Sequence, residues 1–354
     1  MPQHHHMTDI SNINPQRILV CQLRQIGDVL LATPTLELLK KRFPLADIDV
    51  LTESKCVQVL ENNPNINRIW PIDKKALRNP FKALAYYARV GRHGYDLIVD
   101  LQQLPRCKWV VRFSDAPVKL SFKPPWYNRY LYTHWPEPKY GYAAMCKANA
   151  LRPLGIEWDG EAPAIWLTDD EKDQAQDILS AHGVNGPFVT VDPSHRRETR
   201  RWKARHFAGL IQLIGQTHPD LRFVILYGPG ERELARKVAD LAGGSAVVPN
   251  SMLSLREMAA VQSMAVLHIG NCSSPRHFAV AVGTPSLTIH GATGYGWRFP
   301  SDEHVSVTKD IDCKWCNRNT CDTIECMETF LPEECLDEAL TLIETGLKKR
   351  SGGQ

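Results

Sequence analysis

The chain has 354 residues, a hydrophobic content of 43%, a charged content of 23% and a formal net charge of +3, the profile of a soluble globular protein and not of a disordered or fibrous one. No apolar run approaches the roughly 18 residues that a membrane-spanning helix needs, which excludes a helical integral membrane protein. The length suits two ordinary domains, and ten cysteines without an export signal point to a reducing, cytoplasmic compartment.

Residues 1–16 are polar, include His4-His5-His6, and read as a disordered leader. From Arg17 the pattern alternates: a strand to Leu23, a helix from Asp28 to Phe43, a strand Asp47 to Thr52, a helix Val57 to Asn62, a short strand Arg68 to Pro71, a helix Pro80 to Arg92 and a strand Leu97 to Leu101. Strands that alternate with helices imply a parallel sheet with right-handed crossovers. The first junction, Arg17 to Asp28, is an apolar run, a loop ending in Gly27 and a helix start, so it presents backbone N–H groups at a sheet edge.

An irregular basic stretch follows. Between Pro105 and Tyr130, Arg106, Lys108, Arg112, Lys119, Lys123 and Arg129 stand against the single acid Asp115, interleaved with Trp109, Phe113, Phe122, Trp126, Tyr127 and Tyr130. The first 165 residues carry 22 basic against 15 acidic side chains, the remainder 20 against 24. A cationic surface with rings fits an anionic, amphipathic partner such as a phosphorylated glycolipid, a membrane face or a single strand of nucleic acid; a solvated loop over core aromatics is the plainer alternative.

The alternation restarts after a Pro-bearing segment, Trp158 to Leu167. Helices are expected over Asp169 to His182, His206 to Thr217, Glu231 to Ala242, Ser254 to Gln262 and Pro275 to Val282, and strands over Phe188 to Val191, Arg222 to Tyr227, Val266 to Ile269 and Ser286 to Ile289. The expected architecture is α/β, two Rossmann-like doubly wound domains facing across a cleft: residues 17–165, residues 166–330, and a final helix and tail over 331–354. Leu336, Ala339, Leu340 and Ile343 share one face of that last helix, which reads as a packing helix.

The motifs then carry a resemblance. Arg24-Gln-Ile-Gly27-Asp28, Arg200-Arg201-Trp202 with Phe207, Gly228-Pro-Gly-Glu231, and Gly270-Asn-Cys-Ser-Ser-Pro-Arg-His277 with Gly283-Thr-Pro285 and Gly291-Ala-Thr293 resemble, in the same order from Arg17 to about Ile343, the bacterial ADP-heptose:lipopolysaccharide heptosyltransferases, glycosyltransferase family 9 with the GT-B fold. The resemblance implies an inverting, metal-independent sugar transfer that needs no cofactor. It implies a nucleotide-sugar donor, ADP-heptose, and an anionic lipopolysaccharide-core acceptor met at the inner leaflet of the cytoplasmic membrane, with no nucleic-acid partner.

A sugar hydroxyl is a poor nucleophile, so a carboxylate must take its proton. The resemblance assigns that role to Asp28, while helix capping is the plainer reading of the same residue. On the donor side it places Arg200 where the family has a phosphate-binding lysine, Ser194 as a hydroxyl donor to phosphate, Glu231 on the ribose and Leu253 beside the adenine. Ser273 and Ser274 stand before the helix opened by Pro275, an anion site by its free N–H groups, and His277 either reaches a phosphate or packs. Arg24, Arg106, Lys108, Arg112, Lys123 and Arg129 are the acceptor-side candidates. Cys272 departs from the family's aspartate, so the residue that would hold donor-sugar hydroxyls is missing; Asn271 is a candidate substitute, and another donor sugar or a non-catalytic relative stays open.

Cys313, Cys316, Cys321 and Cys326 form a second constellation that could bind a structural zinc ion or iron–sulfur cluster, the alternatives being buried free thiols or a disulfide. An NAD-dependent oxidoreductase is the rival class, but no Gly-x-Gly-x-x-Gly follows the first strand and Gly228-Pro-Gly230 lacks the third glycine.

Overall fold

The computed structural model describes residues 9–351. The chain divides into two compact units, with the boundary between Trp166 and Leu167.

The first unit is built on β1 (Arg17–Cys21), α1 (Ile26–Leu30), α2 (Thr33–Arg42), β2 (Asp47–Glu53), α3 (Val57–Leu60), β3 (Arg68–Ile72), α4 (Pro80–Gly91), β4 (Leu97–Asp100), α5 (Pro105–Phe113), β5 (Val118–Ser121) and α6 (Ala143–Ala148). Its sheet is wholly parallel in the order β3-β2-β1-β4-β5, with Cys21 level with Leu51 on one side and Asp100 on the other. β1 and β4 are buried along nearly their whole length, which is why they read as continuous apolar runs and not as alternating ones. The α4 start is set by Asn79, whose side chain accepts from the N–H groups of Phe81 and Lys82, and by Pro80 in the first turn.

Three sequence expectations change here. The helix expected from Asp28 to Phe43 is two helices, broken at Leu31-Ala32. The stretch read as irregular is ordered: Cys107, Val110 and Val111 bury one face of α5 at helical spacing, and the charged residues on its other face hide that period. The expected leader packs from residue 9 on, because Ile10 is buried and the Ser11 carbonyl accepts from Arg42 Nη2 at 2.9 Å; its first eight residues, with the histidine run, lie outside the described residues.

The second unit comprises α7 (Asp169–Ala181), β6 (Phe188–Asp192), α8 (Ala204–Thr217), β7 (Arg222–Ile225), α9 (Arg232–Ala242), β8 (Ala246–Val247), α10 (Leu255–Met264), β9 (Leu267–Asn271), α11 (Ser274–Ala281), β10 (Ser286–Ile289), β11 (His304–Val307), α12 (Glu325–Glu328) and α13 (Leu336–Ser351). The parallel order β11-β10-β9-β6-β7-β8 is that of a dinucleotide-type Rossmann sheet, and β8 and β11 complete edges that the sequence pattern did not show. A reciprocal cap opens α7, Thr168 bonding the Glu171 N–H and Glu171 bonding back. Glu171 also grips Arg256 of α10, which holds its carboxyl down to about 2.

The last helix belongs to this second core. Ala339, Leu342 and Ile343 of α13 are buried in one cluster with Phe207, Leu267 and Leu287. Gly346 lies so close to the Val266 carbonyl that a Cβ there would collide with it.

Candidate active site

In an open parallel sheet, ligands bind beyond the carboxyl ends of the strands, where the strand order reverses. That point lies between β1 and β4 in the first unit and between β6 and β9 in the second. Each carries a cluster of polar side chains.

At the first, Gln102, just past β4, reaches across to the loop after β1: its Oε1 accepts from the N–H groups of Leu23 and Arg24 at 2.9 and 3.1 Å, and its Nε2 donates to the Arg24 carbonyl. The loop so pinned ends in α1, where Asp28 accepts the Gln25 N–H at 3.3 Å. Asp28 therefore does cap its own short helix. Its other oxygen, Oδ1, pairs with Lys147 Nζ at 3.2 Å, and that ammonium also donates to Gln22 Oε1 at 3.1 Å. Lys147 comes from α6 and is almost wholly buried, whereas 28% of the Asp28 side chain remains open. The arrangement is a half-exposed carboxylate on a fixed backbone, steadied by a buried cation.

Beside it, buried Glu53 ends β2 and collects three cations: Lys74 Nζ at 2.7 Å, Arg106 Nη1 at 3.5 Å and Lys55 Nζ at 3.6 Å, the last also donating to Gln25 Oε1 at 3.2 Å. Arg106 is thus drawn into the edge through Glu53. The Arg24 side chain is exposed and has no acid or hydrogen-bond partner among the described residues. The other basic candidates lie on α5 and on the turn after β5. Arg112 donates to Tyr130 OH at 3.4 Å, Arg129 sits over the Trp135 ring, Lys123 is paired with Glu137 at 3.0 Å, and Lys108 is half-buried on α5. Trp126 and Tyr130 stay 79% and 70% exposed among them.

At the second switch point Asp192 ends β6. Its Oδ1 accepts the N–H and hydroxyl of Ser194 at 3.1 and 2.8 Å, and its Oδ2 accepts the Ser273 hydroxyl. Burial pushes its carboxyl up to about 6, against the pull of those donors. Ser194 and Ser273, expected on phosphate, are thus committed to Asp192. Asn271 is likewise committed: its Oδ1 accepts the Trp202 N–H at 2.9 Å and its Nδ2 donates to the Ser194 carbonyl at 3.3 Å. It cannot stand in for an absent sugar-binding aspartate without breaking that tie between strands.

The cations are placed differently. Arg276, in the first turn of α11, is 1% exposed; its Nη1 meets Cys272 Sγ at 3.5 Å and His290 Nε2 at 3.3 Å, and no acid pairs with it among the described residues. Its Nε and that of Arg200 are both buried without a partner. Burial, then the Arg276 charge, holds His277 and His290 far below the usual imidazole range, so both are neutral. His277 packs 6.0 Å from the Trp297 ring, and its Nδ1 has no partner. Ser274 begins α11, so the N-terminal N–H groups of that helix point to the same edge. Glu231 stands at the start of α9 and accepts the Gly228 N–H at 2.9 Å, closing the Gly-Pro-Gly turn. Leu253 lines an apolar crevice of about 10 Å³ with Val224, Val247 and Val261.

The cysteine segment folds onto this edge. Asn317 Oδ1 accepts from Arg200 Nη2 at 2.8 Å, the Arg318 carbonyl accepts from Thr199 Oγ1 at 3.2 Å, and Trp315 meets the His290 ring edge-on at 5.2 Å. Gly291 allows the approach, since a Cβ there would strike the Thr199 carbonyl and Met327. Among the described residues no three His, Cys, Asp or Glu side chains are grouped to hold an ion, and none of the four thiols is in a disulfide. The loop is held by its contacts to Arg200, Thr199 and His290. Burial, then the neighbouring Cys313, Cys316 and Cys321, pushes the Cys326 thiol up to about 11.

Sequence reading passed over Lys147, Gln22, Gln102, Glu53, Asp192, Arg276 and Asn317. Most lie far in sequence from the residues they serve, and no local pattern announces them. Arg276 lies inside the Gly270–His277 motif, where an arginine in the first turn of a helix reads as an ordinary helix residue.

A sequence model of glycosyltransferase family 9 (heptosyltransferase) matches residues 84–326. Lipopolysaccharide heptosyltransferase 3 of Escherichia coli is 28% identical over 288 residues, 78% of this chain and 84% of that one. Among solved structures, a glycosyl transferase family 9 protein of Veillonella parvula superposes with a TM-score of 0.83 at 23% identity, covering 94% of this chain and 99% of the other. The Escherichia coli heptosyltransferase WaaC with ADP-2-deoxy-2-fluoro heptose gives 0.69 at 18%, covering 92% and 99%.

Proposed function

Because the chain belongs to glycosyltransferase family 9, the heptosyltransferases, and is a glycosyltransferase, we propose that it transfers heptose from ADP-heptose to a lipopolysaccharide-core acceptor with inversion and without a metal. The acceptor hydroxyl loses its proton to Asp28 as its oxygen bonds to the anomeric carbon, and the bond from that carbon to the diphosphate breaks on the opposite face. Lys147 and the Gln25 N–H hold the carboxylate in one orientation while a quarter of its surface stays open to the acceptor.

The departing diphosphate, which already carries two negative charges, gains a third as the bond breaks, and cationic and N–H groups must meet it. Arg200, Arg276 and the first N–H groups of α11 supply the counter-charge, worth far more in a buried site than in water. The observation that carries this reading is a buried guanidinium, Arg276, beside a half-buried one, Arg200: both retain an unpartnered Nε, and Arg276 has no acid beside it among the described residues. A buried charge left unpaired is costly, so its natural counter-charge is the substrate's.

On the acceptor side, Arg24, Arg112 and Arg129 with the exposed rings of Trp126 and Tyr130 suit an anionic glycolipid. They also suit peripheral attachment to the cytoplasmic face of the inner membrane. No helix among the described residues is long and apolar enough to cross a membrane.

A second reading concerns the donor sugar alone. Cys272 lies against Arg276 and Asn271 is used up in the fold, so this chain lacks the carboxylate that would select heptose hydroxyls. A nucleotide sugar other than ADP-heptose is the alternative that this favours.

Incubation with ADP-heptose, UDP-glucose and GDP-mannose and a truncated lipopolysaccharide core, followed by mass spectrometry of the glycolipid, tests both readings. A heptose-sized mass gain from ADP-heptose alone supports the first and a hexose gain the second. No product with any donor, from protein that binds ADP, would identify a non-catalytic relative.

A further inference from the structure

A second polar cluster lies in the first unit, on the edge strand β3 and the last turns of α4, two strands away from β1 and the loop that leads to Asp28. It lines an open cavity of about 530 Å³ whose walls are Arg68, Ile69, Trp70, Pro71, Tyr86, Arg89 and His93, a volume in the range of small-ligand sites. Two guanidiniums are held over one indole: Arg68 lies 5.2 Å and Arg89 5.4 Å from the Trp70 ring, Arg89 also 5.3 Å from the Tyr86 ring. Arg68 Nη1 lies 3.3 Å from His93 Nε2, and a third guanidinium, that of Arg17, donates to the His93 carbonyl.

Among the described residues no acid pairs with this charge: neither Arg68 nor Arg89 has an acid partner. Asp49 lies beneath the ring, buried, its oxygens taken by Trp70 Nε1, Tyr95 OH and Asn67 Nδ2, and Asp96 is spent on the N–H groups of Gln16 and Arg17. Two like charges on one ring repel each other, and rings that fix guanidinium planes also fix their forks for bidentate contact with an oxyanion. The indole faces are covered by the arginines, which leaves no platform for stacking a base. Pro71 on the edge strand offers no N–H, which disfavours an added β-strand.

We propose that this cavity is a binding site for a small oxyanion-bearing ligand, a phosphate ester or a carboxylate, separate from the transfer site, with sugar acids as the probes. Ligand-observed NMR titration of the full chain with glucose 6-phosphate, glucuronate and glucose tests it. Glucose 6-phosphate should bind, glucose should not, and glucuronate distinguishes a carboxylate-bearing ligand from a phosphorylated one. The double variant Arg68→Gln/Arg89→Gln should weaken binding at least tenfold, while Arg200→Gln, which alters the other anion site, should leave it unchanged. Arg89→Gln alone, an exposed change at a helix end, should still weaken it about threefold, which keeps the test valid if the double variant folds poorly. Equal affinity in wild type and Arg89→Gln, loss in Arg200→Gln only, or no binding of either acidic sugar to the wild type overturns the proposal.

Discussion

The two switch points are built on the same plan and equipped with opposite charge. In each, a side chain just beyond one central strand ties down the loop beyond the other: Gln102 holds the Leu23-Arg24 backbone in the first unit, and Asn271 with Ser273 holds the Trp202 N–H, Ser194 and Asp192 in the second. What is left over differs. The first edge presents a carboxylate, Asp28, with its cation buried behind it. The second presents guanidiniums, while its carboxylate, Asp192, is buried and consumed by hydroxyls. Position at a sheet edge does not make an acid a base; exposure and uncommitted lone pairs do.

The strongest test of that contrast is Asp28→Asn. The amide keeps the shape and the bond from Gln25 but cannot take a proton, so turnover should fall roughly 10²- to 10⁴-fold, the range of a positioned general base. ADP affinity, read by calorimetry, should stay within a factor of two. A rate within threefold of wild type would remove Asp28 from the chemistry and leave it a cap.

The guanidiniums come next. Arg276→Gln removes a buried charge that the fold itself does not use, so transfer should drop by roughly 10²-fold, as when one preorganised donor to a developing oxyanion is lost. ADP binding should weaken with it, and Tm should not fall, since burying the unpaired charge opposes folding. A large fall in Tm with ADP affinity intact would assign Arg276 to the fold.

How far the sequence foresaw these edges follows from the range of the interactions involved. The wound sheets were legible because β1, β4, β6 and β9 are apolar runs bounded by turn residues. Asp28, Arg200 and the 270–277 loop were legible as motifs. Their partners were not: Lys147 is 119 residues from Asp28 and Asn317 is 117 from Arg200, and a lone lysine or asparagine carries no period. The α5 helix was hidden by charges on its open face, and the cysteine spacing did not show that Arg200 and Thr199 hold the same loop through Asn317 and Arg318.

Asp192→Asn sharpens the comparison from the opposite side. Burial holds the Asp192 carboxyl at about 6, well above the ordinary aspartate value of about 4. Between pH 4 and 6 the folded chain therefore binds more protons than the unfolded one, and stability falls as pH rises; above pH 6 the full cost applies, about 3 kcal/mol for a shift of this size. An asparagine can accept both Ser194 bonds and donate to Ser273, so the variant should have the higher Tm at pH 8 and lose the decline between pH 4 and 6 in scanning calorimetry. Transfer should persist within a few-fold. An abolished rate would mean that the two switch-point carboxylates share the chemistry.

The smallest expected effect concerns the cation behind the base. Lys147 touches Asp28 and Gln22 only through its ammonium, so it acts on the reaction through orientation, and Lys147→Met should lower kcat by about tenfold with KM for the acceptor little changed. Lys147→Arg, which keeps the charge and reaches both oxygens, should recover most of the loss. The two variants separate positioning from simple packing, because methionine fills the buried stem as well as arginine does. If Lys147→Met retained full kcat while Asp28→Asn lost it, the carboxylate would be held by the Gln25 N–H and the pinned loop alone. The buried ammonium would then be a structural counter-ion, and the difference between the two edges would reduce to exposure.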